Sequence, residues 1–437
     1  MLQNTDTILA NLKISSLNDM QQAAAETIAN TKNTILLSPT GSGKTIAFLL
    51  PALQHINPTD KRTQVLIIVP SRELAQQIET VFKSMQTGFK VTTCYGGHLR
   101  ETEENNLLEA PAIIIGTPGR LADHLRRNNI ITDGISTLVL DEFDKSLEAG
   151  FTDEMAFIIS RLENLSRRIL TSASEAVEIP DFVNMTEPHR LNFLTGASDP
   201  SLAIKWVESE QKDKLDTAFR LICFLGNRPS IVFCNHREAV ERTSRYFSEM
   251  GIVNVFYHGA LDQRERDAAL SKFRNGSSNL LVTTDLAARG LDIPNIRYII
   301  HFHLPLSEDI FTHRNGRTAR MDASGTAILI KGPDEEIPPF AGGDSEKIIL
   351  PENSVLPEKP KWITLFIGAG KKDKVNKIDI VGFLSNRGQL KKEDIGLIEV
   401  KDFFSFVAVR KLKATQTLHL ISDHKIKNKK VKIEVAK

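Results

Sequence analysis

A glycine-rich stretch near the amino terminus has the residue types and the spacing that bind phosphate groups. It follows an apolar run at 34–37, precedes a helical pattern at 45–53, and reads Ser38, Pro39, Thr40, Gly41, Ser42, Gly43, Lys44 and Thr45. The glycines allow backbone N–H groups to turn towards phosphate oxygens, and the next helix N-terminus adds partial positive charge. The lysine can reach the β- and γ-phosphates, and the last threonine can bind Mg²⁺. We therefore predict nucleotide binding by residues 40–45, although Ser38 replaces the first glycine of G-x-x-x-x-G-K-T.

Two adjacent carboxylates, Asp141 and Glu142, lie directly after a second apolar run at 137–140. If that run is a strand, Asp141 emerges at its carboxyl end and can hold Mg²⁺ through water. Glu142 can then orient or deprotonate the attacking water. Acidic residues also favour the first turn of a helix, which is the alternative interpretation. Together with Lys44, the pair predicts hydrolysis of a nucleoside triphosphate, with ATP and Mg²⁺ as cofactors.

Three arginines, Arg314, Arg317 and Arg320, lie close together far downstream, within 313–320. A cation supplied across a cleft stabilises the negative charge that develops on a γ-phosphoryl group during transfer. Arg317 and Arg320 are three residues apart, so they share one face if the segment is helical. An ordinary solvated basic helix is the alternative. The catalytic interpretation predicts two domains that ATP brings together.

The elements that must position these residues are short apolar runs alternating with helical patterns. This rhythm predicts parallel sheets covered by helices on both faces. It restarts after a loop-like segment at 194–201, so we expect one domain at 1–197, a second at 198–331 and a linker at 332–361. The predicted strands are 34–37, 65–69, 91–95, 113–116, 137–140, 168–171, 230–234, 253–257, 280–283, 298–301 and 325–330.

The remaining segment, 362–437, has a different order of elements and a different charge. Strands at 363–367, 397–400, 403–409 and 431–435 and helices at 377–384 and 415–422 give the order β-α-β-β-α-β. That order is typical of a ferredoxin-like α+β domain, which RNA-recognition modules use. From Val355 onwards, 19 Lys and Arg face 9 Asp and Glu, against 36 and 45 before it. A polyanion-binding module explains this excess, and a lysine-rich solvated surface is the alternative.

Composition excludes several other classes of protein. The chain is 41% apolar and 25% charged, as in globular proteins, and no run of about 18 apolar residues predicts a membrane span. No secretory signal is evident at the amino terminus. Cys94, Cys223 and Cys234 are scattered without metal-site spacing, which argues against a disulfide framework and favours a reducing cytoplasm.

In order along nearly the whole chain, these motifs resemble a DEAD-box RNA helicase. Further matching segments are 70–75, 96–97, 117–120, 172–174, 258–259, 263–266 and 284–292. The resemblance implies two RecA-like parallel-sheet domains in tandem, followed by the RNA-recognition-like domain. It also implies that Asp292 approaches the ATP ribose and that Arg317 and Arg320 are arginine fingers. RNA backbone contacts would come from Pro70, Arg72, Gly97, Thr117, Arg120, Gly259 and Thr284.

The chain departs from the family pattern at several positions. Phe143 replaces the alanine of Asp-Glu-Ala-Asp, so its bulk must be accommodated beside the carboxylates, and Ser174 replaces a threonine. Gln21 has the spacing of the family's adenine-reading glutamine, with Gln22 as the competing candidate. The Pro-Thr pair that usually precedes this glutamine reads Leu17-Asn18 here.

The last domain resembles the RNA-binding domain of DbpA-type helicases, which recognise a hairpin in large-subunit ribosomal RNA and act in ribosome assembly. Its segment 368–375 contains Lys371, Lys372 and Lys374, which suit capture of an RNA backbone. Phe366, Phe404 and Phe406 either stack on bases or pack in the core, and strand alternation favours the core for the last two.

We therefore expect a monomeric, cytoplasmic ATP-dependent RNA helicase with no membrane partner. An ATP-gated RNA clamp that hydrolyses slowly is the first alternative, because every motif would be shared. A DNA translocase is the second alternative.

Overall fold

The computed structural model describes residues 5–39, 41–97, 99–173, 178–194, 202–285, 296–316, 325–342, 345–422, 424–427 and 429–436. The chain divides into two compact units, one formed by Met1–Ser198 with Arg289–Asp292 and the other by Asp199–Ala288 with Ile293–Lys437. Five residues singled out from the sequence lie outside the described residues, namely Thr40, Ser174, Asp292, Arg317 and Arg320.

The first unit alternates strands and helices. In chain order its elements are α1 (Thr5–Leu12), α2 (Asp19–Asn30), β1 (Asn33–Leu37), α3 (Lys44–Gln54), β2 (Val65–Ile68), α4 (Arg72–Ser84), β3 (Val91–Cys94), α5 (Arg100–Leu107), β4 (Ile113–Gly116), α6 (Pro118–Arg126), β5 (Thr137–Leu140), α7 (Phe143–Glu148), α8 (Thr152–Ser160), β6 (Arg167–Ser172) and β7 (His189–Asn192). The six predicted strands are confirmed, and β7 was not predicted.

These strands form a parallel sheet in the order β3-β4-β2-β5-β6-β1-β7. Alternate side chains enter two hydrophobic clusters, because successive residues of a strand face opposite sides. Leu36 and Ile67 belong to one cluster, whereas Ile35 and Leu66 belong to the other. Burial on both faces explains why the strands are continuous apolar runs.

The second unit begins with another α/β domain. Its elements are β8 (Leu202–Glu208), α9 (Leu215–Leu225), β9 (Ser230–Phe233), α10 (Arg237–Glu249), β10 (Val255–Tyr257), α11 (Gln263–Arg274), β11 (Leu280–Thr283), β12 (Tyr298–His301), α12 (Glu308–Asn315), β13 (Gly325–Lys331), α13 (Pro339–Gly342) and β14 (Glu346–Lys347). The parallel sheet has the order β10-β11-β9-β12-β13-β8-β14. The stretch interpreted as a linker therefore contributes one short helix and the edge strand β14.

The same unit ends in an antiparallel domain. Its elements are β15 (Trp362–Ile367), α14 (Lys377–Asn386), β16 (Ile395–Val400), β17 (Ser405–Arg410), α15 (Lys411–Ile421), the hairpin β18 (Lys425–Ile426) and β19 (Lys429–Lys430), and β20 (Ile433–Val435). The sheet order is β16-β17-β15-β20. The ferredoxin-like prediction is confirmed.

The two faces of this antiparallel sheet pack against different partners. Leu365 and Val407 face the domain's own core. Phe366 and Phe406 lie on the other face and pack with Ala268 of α11, in the preceding domain. The assignment of Phe404 and Phe406 to the domain's own core was therefore wrong, although both rings are packed, with Phe404 partly buried against the same cluster.

Polar contacts reinforce the junction between α11 and the antiparallel sheet. The Asn275 amide Nδ2 donates to Thr364 Oγ1 over 2.8 Å. The Arg264 guanidinium lies 4.1 Å from the centre of the Phe366 ring, a cation–π contact. Lys401 pairs with Asp267 at 3.3 Å. This aromatic face is thus a packing surface for α11. In the described part of the chain, no helix is long and apolar enough to cross a membrane.

Candidate nucleotide and RNA sites

The phosphate-binding stretch lies between β1 and α3, as its sequence predicted. Gly43 caps α3 with a φ of +90°, in the left-handed region that favours glycine. A β-carbon there would collide with the side-chain amide of Gln21. The chain therefore needs glycine at this position for two reasons, its backbone conformation and the close approach of Gln21.

Lys44 is buried at the start of α3, and its ammonium lies inside the curve of the loop. Lys44 Nζ donates to the backbone oxygens of Ser38 at 2.5 Å and Pro39 at 2.8 Å. The Ser42 hydroxyl also donates to Pro39 O, at 2.8 Å. These bonds place a cation and the partial positive end of α3 on one loop, as phosphate binding requires.

Gln21 and Gln22 differ in their relation to this loop. Gln21 is buried and donates from Nε2 to the Gly43 carbonyl at 3.2 Å, whereas Gln22 is exposed and donates to Leu17 O. Asn18 caps α2, accepting from Gln21 N at 2.9 Å and donating to Ser42 O at 3.1 Å. Asn18 occupies the position of the threonine in the usual Pro-Thr pair, and it caps α2 as a threonine could. The geometry favours Gln21 as the residue beside the nucleotide.

Asp141 lies at the carboxyl end of β5 and is almost completely buried. Its Oδ1 accepts from the Thr171 hydroxyl and, at 3.1 Å, from Glu142 N. Burial and the neighbouring Glu142 charge raise the pKa of Asp141 to about 6, although Lys44 and the hydrogen bonds act in the opposite direction. Thr171 was not predicted, because its proximity depends on the pairing of β5 with β6, in which Leu140 faces Leu170.

These residues fit a hard divalent cation. A carboxylate whose pKa is raised by burial gains from a nearby positive charge, and Asp141 is such a group. Thr45, half-buried at the first turn of α3, adds a hydroxyl oxygen. Carboxylate and hydroxyl oxygens are donors that Mg²⁺ prefers.

Phe143 is accommodated in the hydrophobic interior of the first unit. It begins α7, is 2% exposed, and belongs to the cluster that contains Leu140, Met155 and Leu170. Glu142, one residue earlier, has a φ of +48°, so the chain turns sharply between the two carboxylates and the helix. The ring therefore points into the core.

The residues predicted to contact RNA in the first unit occupy one half of its sheet. Pro70 and Arg72 follow β2, Gly97 follows β3, and Thr117 and Arg120 follow β4. These three strands are neighbours, and they precede β5, β6 and β1 in the sheet order. Because all the strands are parallel, both groups of residues lie at the carboxyl edge, with the RNA half beside the nucleotide half.

Within this RNA half, the close contact between Arg72 and Gly97 ties two predicted motifs together. Arg72 Nη1 lies 3.4 Å from Gly96 O and Nε lies 3.3 Å from Glu73. Gly97 has a φ of +98°, and a β-carbon there would collide with the guanidinium. Arg72 and Gly97 therefore lie side by side, and they can contact the same RNA strand.

The second α/β domain repeats this arrangement. Gly259 follows β10 and Thr284 follows β11, and these strands are adjacent at one edge of the sheet. At the start of α11, Gln263 Oε1 and Arg266 Nε are buried without a hydrogen-bond partner among the described residues. Such polar groups are costly unless a ligand satisfies them, which suits a ligand-binding role for the matching segment 263–266.

Arg314, the first of the three clustered arginines, is a buried structural residue. It is 1% exposed and bonds Asp285 at 2.5 and 2.8 Å, Asn235 at 2.9 Å and the His303 carbonyl at 2.8 Å. Burial and the Arg314 charge lower the pKa of His301 to about 3. The ion pair joins α12 to the segment after β11, beside Thr284.

The lysine loop of the last domain is exposed, and its shape depends on one glycine. Lys371, Lys372 and Lys374 are solvent-exposed. The backbone N–H groups of Lys371 and Lys372 donate to Lys401 O and Asp402 O at 2.9 and 2.8 Å. A β-carbon on Gly370 would collide with those same carbonyls. Glycine therefore allows the loop to dock on the end of the sheet.

Sequence reasoning missed further lysines at the same end of the domain. They belong to the hairpin β18–β19, where Lys427 bonds Lys374 O at 2.5 Å and Lys429 bonds Asp373 at 2.5 Å. Their signal in the sequence was the run at 425–432, which carries Lys425, Lys427, Lys429, Lys430 and Lys432. We call the loop 371–374 together with the hairpin 425–430 the basic edge.

Three family models match successive parts of the chain. The chain matches the DEAD/DEAH box helicase family over residues 18–181. It matches the helicase conserved C-terminal domain over 213–322 and the DbpA RNA binding domain over 364–435.

Similarity to known proteins extends over most of the chain. The chain is 33% identical over 442 residues to the ATP-dependent RNA helicase DbpA of Escherichia coli (strain K12), covering 99% of this chain and 97% of that protein. It is 27% identical over 450 residues to DbpA of Bacillus subtilis (strain 168), covering 95% and 94%. S. cerevisiae Dbp5 bound to RNA and ADP BeF3 superposes with a TM-score of 0.69 at 25% identity, covering 79% of this chain and 93% of that one. The chain therefore belongs to the DEAD-box ATP-dependent RNA helicases of the DbpA type, which bind RNA and are driven by hydrolysis of ATP.

Proposed function

We propose that this helicase remodels large-subunit ribosomal RNA during ribosome assembly, and that its last domain selects that RNA. The observation that carries the proposal is the basic edge, which gathers seven lysines at one end of a domain that matches the DbpA RNA binding domain. A folded surface of this charge captures RNA backbone, and its fixed arrangement of lysines favours an RNA whose folded shape places phosphates opposite them.

The helicase core would contribute contacts that are independent of sequence. Arg72, Gly97, Thr117 and Arg120 in the first domain and Gly259 and Thr284 in the second follow adjacent strands in their respective sheets. Contacts to phosphates and 2′-hydroxyls position a nucleic acid without reading its bases. Selection of one RNA then has to come from outside the core, and the last domain supplies it.

ATP hydrolysis would use the residues around β1 and β5. Lys44 would contact the β- and γ-phosphates, Thr45 and Asp141 would hold Mg²⁺, and Glu142 would orient the attacking water. Bound Mg²⁺ would neutralise negative charge on the phosphates. Gln21 would contact the adenine, Asp292 the ribose, and Arg317 and Arg320 the γ-phosphoryl group. One chain holds all of these residues, so we propose a monomer, and buried free cysteines suit action in the cytoplasm.

The test is ATP turnover as a function of RNA concentration in full-length variants. Lys371→Ala/Lys372→Ala removes two charges from the basic edge. Lys391→Ala/Lys392→Ala is a matched control, since both lysines are exposed and precede β16, whose start lies at the opposite end of the sheet.

We expect the first variant to need about tenfold more ribosomal RNA for half-maximal activation, with unrelated RNA of equal length much less affected. The control variant should behave as the unaltered protein does. Equal effects of the two variants, or equal effects on both RNAs, would contradict selection by the basic edge.

A further inference from the structure

We propose that Glu103 and His124 are positioning residues that hold Arg120 in the orientation in which it contacts the RNA backbone. This inference rests on the RNA-contacting role proposed above for Arg120. Glu103 lies on α5, and Arg120 and His124 lie one turn apart on α6. None of the motifs that identified the helicase core includes Glu103 or His124.

Glu103 is the centre of a buried hydrogen-bond network. Its carboxylate accepts from Tyr95 N at 2.8 Å through Oε1, and through Oε2 from Arg120 Nη1 at 3.1 Å and His124 Nε2 at 2.6 Å. The side chains of Glu103 and His124 are 1% and 0% exposed, whereas that of Arg120 is 15% exposed. One end of the network is therefore sealed in the core, and the other reaches the surface at the carboxyl edge of the sheet.

The partner of the second imidazole nitrogen fixes how His124 acts. Asn129 Nδ2 lies 3.1 Å from His124 Nδ1, and an amide NH₂ group can only donate. His124 Nδ1 therefore accepts, and in the neutral ring the proton is on Nε2, from which it is donated to Glu103. The three groups that bond the Glu103 carboxylate are then all donors. An ionised carboxylate can only accept hydrogen bonds, so this arrangement suits it.

The same network links the two RNA motifs of this half of the sheet. Tyr95 immediately precedes Gly96 and Gly97, and Arg120 immediately follows Gly119 at the start of α6. The Thr117 N–H also donates to Cys94 O at 3.0 Å. A shift of Glu103 would therefore move Arg120 relative to Gly97. Pre-organising a long arginine side chain lowers the entropy lost when it binds phosphate.

The side chains of Cys94, Glu103 and His124 are close enough to consider a metal site, since their ligand atoms lie within 4.8 Å of one another. The hydrogen bonds argue for a different role. Both oxygens of Glu103 already accept from N–H groups, and His124 Nε2 carries a proton. Burial, together with the Glu103 charge, raises the pKa of the Cys94 thiol far above its usual range, so it remains protonated.

The test compares RNA activation of ATP turnover in full-length Glu103→Gln, His124→Ala, His124→Gln and Arg120→Ala. Gln at 103 replaces one acceptor oxygen by an NH₂ group that would face another donor. Glu101→Gln is the matched control, because Glu101 lies on the same helix as Glu103 but is exposed to solvent. Affinity for a fluorescent ADP analogue reports whether the nucleotide half of the sheet is intact.

We expect Glu103→Gln and His124→Ala to raise the RNA concentration for half-maximal activation about tenfold, the effect of one charged hydrogen bond. The maximal rate and ADP affinity should stay within about twofold. His124→Gln, whose amide can replace the Nε2–H donor, should recover much of the loss, and Glu101→Gln should have no effect.

The outcomes separate this inference from the function it rests on. If Arg120→Ala weakens activation by RNA but Glu103→Gln does not, the positioning role is wrong and the role of Arg120 stands. If Arg120→Ala has no effect, Arg120 does not contact RNA. Loss of ADP affinity in Glu103→Gln, or stoichiometric zinc in the purified protein, would also overturn the positioning role.

Discussion

We expect Phe143→Ala, which introduces the alanine that is usual in the Asp-Glu-Ala-Asp motif, to destabilise this protein. Phe143 is 2% exposed and packs with Leu140, Met155 and Leu170. Truncating a fully buried phenylalanine costs about 3–5 kcal/mol, because transfer free energy is lost and a cavity remains. In a unit of this size each kcal/mol lowers the unfolding temperature by about 2–4 °C, so Phe143→Ala should unfold roughly 6–20 °C earlier.

Differential scanning calorimetry of the full-length protein measures the transition of the first unit, and ATP turnover with saturating RNA is measured at a temperature where both proteins are folded. Phe143→Leu, which keeps much of the volume, should cost less than about 1.5 kcal/mol. Turnover per folded molecule should change little, since the ring points away from the carboxylates into the core. An unchanged unfolding temperature combined with many-fold faster turnover would show that Phe143 does not stabilise the first unit and that it slows hydrolysis instead. It would favour the alternative of a slow, ATP-gated clamp.

Three further predictions follow from the geometry of the described residues. Because the pKa of Asp141 is raised to about 6, protons should compete with Mg²⁺ below that pH; Mg²⁺ titrations of ATP turnover should show apparent affinity falling roughly tenfold per pH unit. The folded-state pKa of His301, about 3, lies below the unfolded value of 6.5. The stability that the buried neutral ring contributes to the folded protein is therefore complete above pH 6.5 and is lost as the pH falls towards 3. In urea unfolding, His301→Gln should reduce the slope of stability against pH by about 1.4 kcal/mol per pH unit between pH 6 and 4. Phe366→Ala should loosen the junction with α11, seen as faster hydrogen exchange in both α11 and β15, whereas exposed Phe403→Ala should not.

The strands that form the centre of both parallel sheets could be predicted from the sequence, because burial on two faces makes them continuous apolar runs. The strands that were missed lack this signature. β7 reads His-Arg-Leu-Asn and β14 has only two residues, so neither differs locally from a loop. The longer β8 reads Leu-Ala-Ile-Lys-Trp-Val-Glu, in which Val207 alone is buried, so it is not a continuous buried apolar run. These strands form at or beside a sheet edge, where neighbouring strands offer unpaired backbone groups, which is a property of the tertiary structure.

The same distinction applies to the candidate sites. Lys44, Asp141 and the lysine loop were found because a motif needs those residue types at fixed spacing. Thr171 and Glu103 could not be found in this way, since each meets its partner only through strand or helix packing. Strand alternation correctly placed Phe404 and Phe406 on one side. It could not reveal that α11 of another domain covers that side.

We propose that ATP hydrolysis by this helicase responds selectively to large-subunit ribosomal RNA. The most direct measurement is the rate of ATP turnover by the full-length protein with limiting amounts of that RNA, of an unrelated RNA of equal length, and of DNA. We predict that ribosomal RNA activates at the lowest concentration, unrelated RNA only at higher concentration, and DNA not at all. We also predict that Glu142→Gln abolishes turnover with every activator. Equal activation by the two RNAs would contradict selection of ribosomal RNA, and turnover that survives Glu142→Gln would contradict the catalytic role of Glu142.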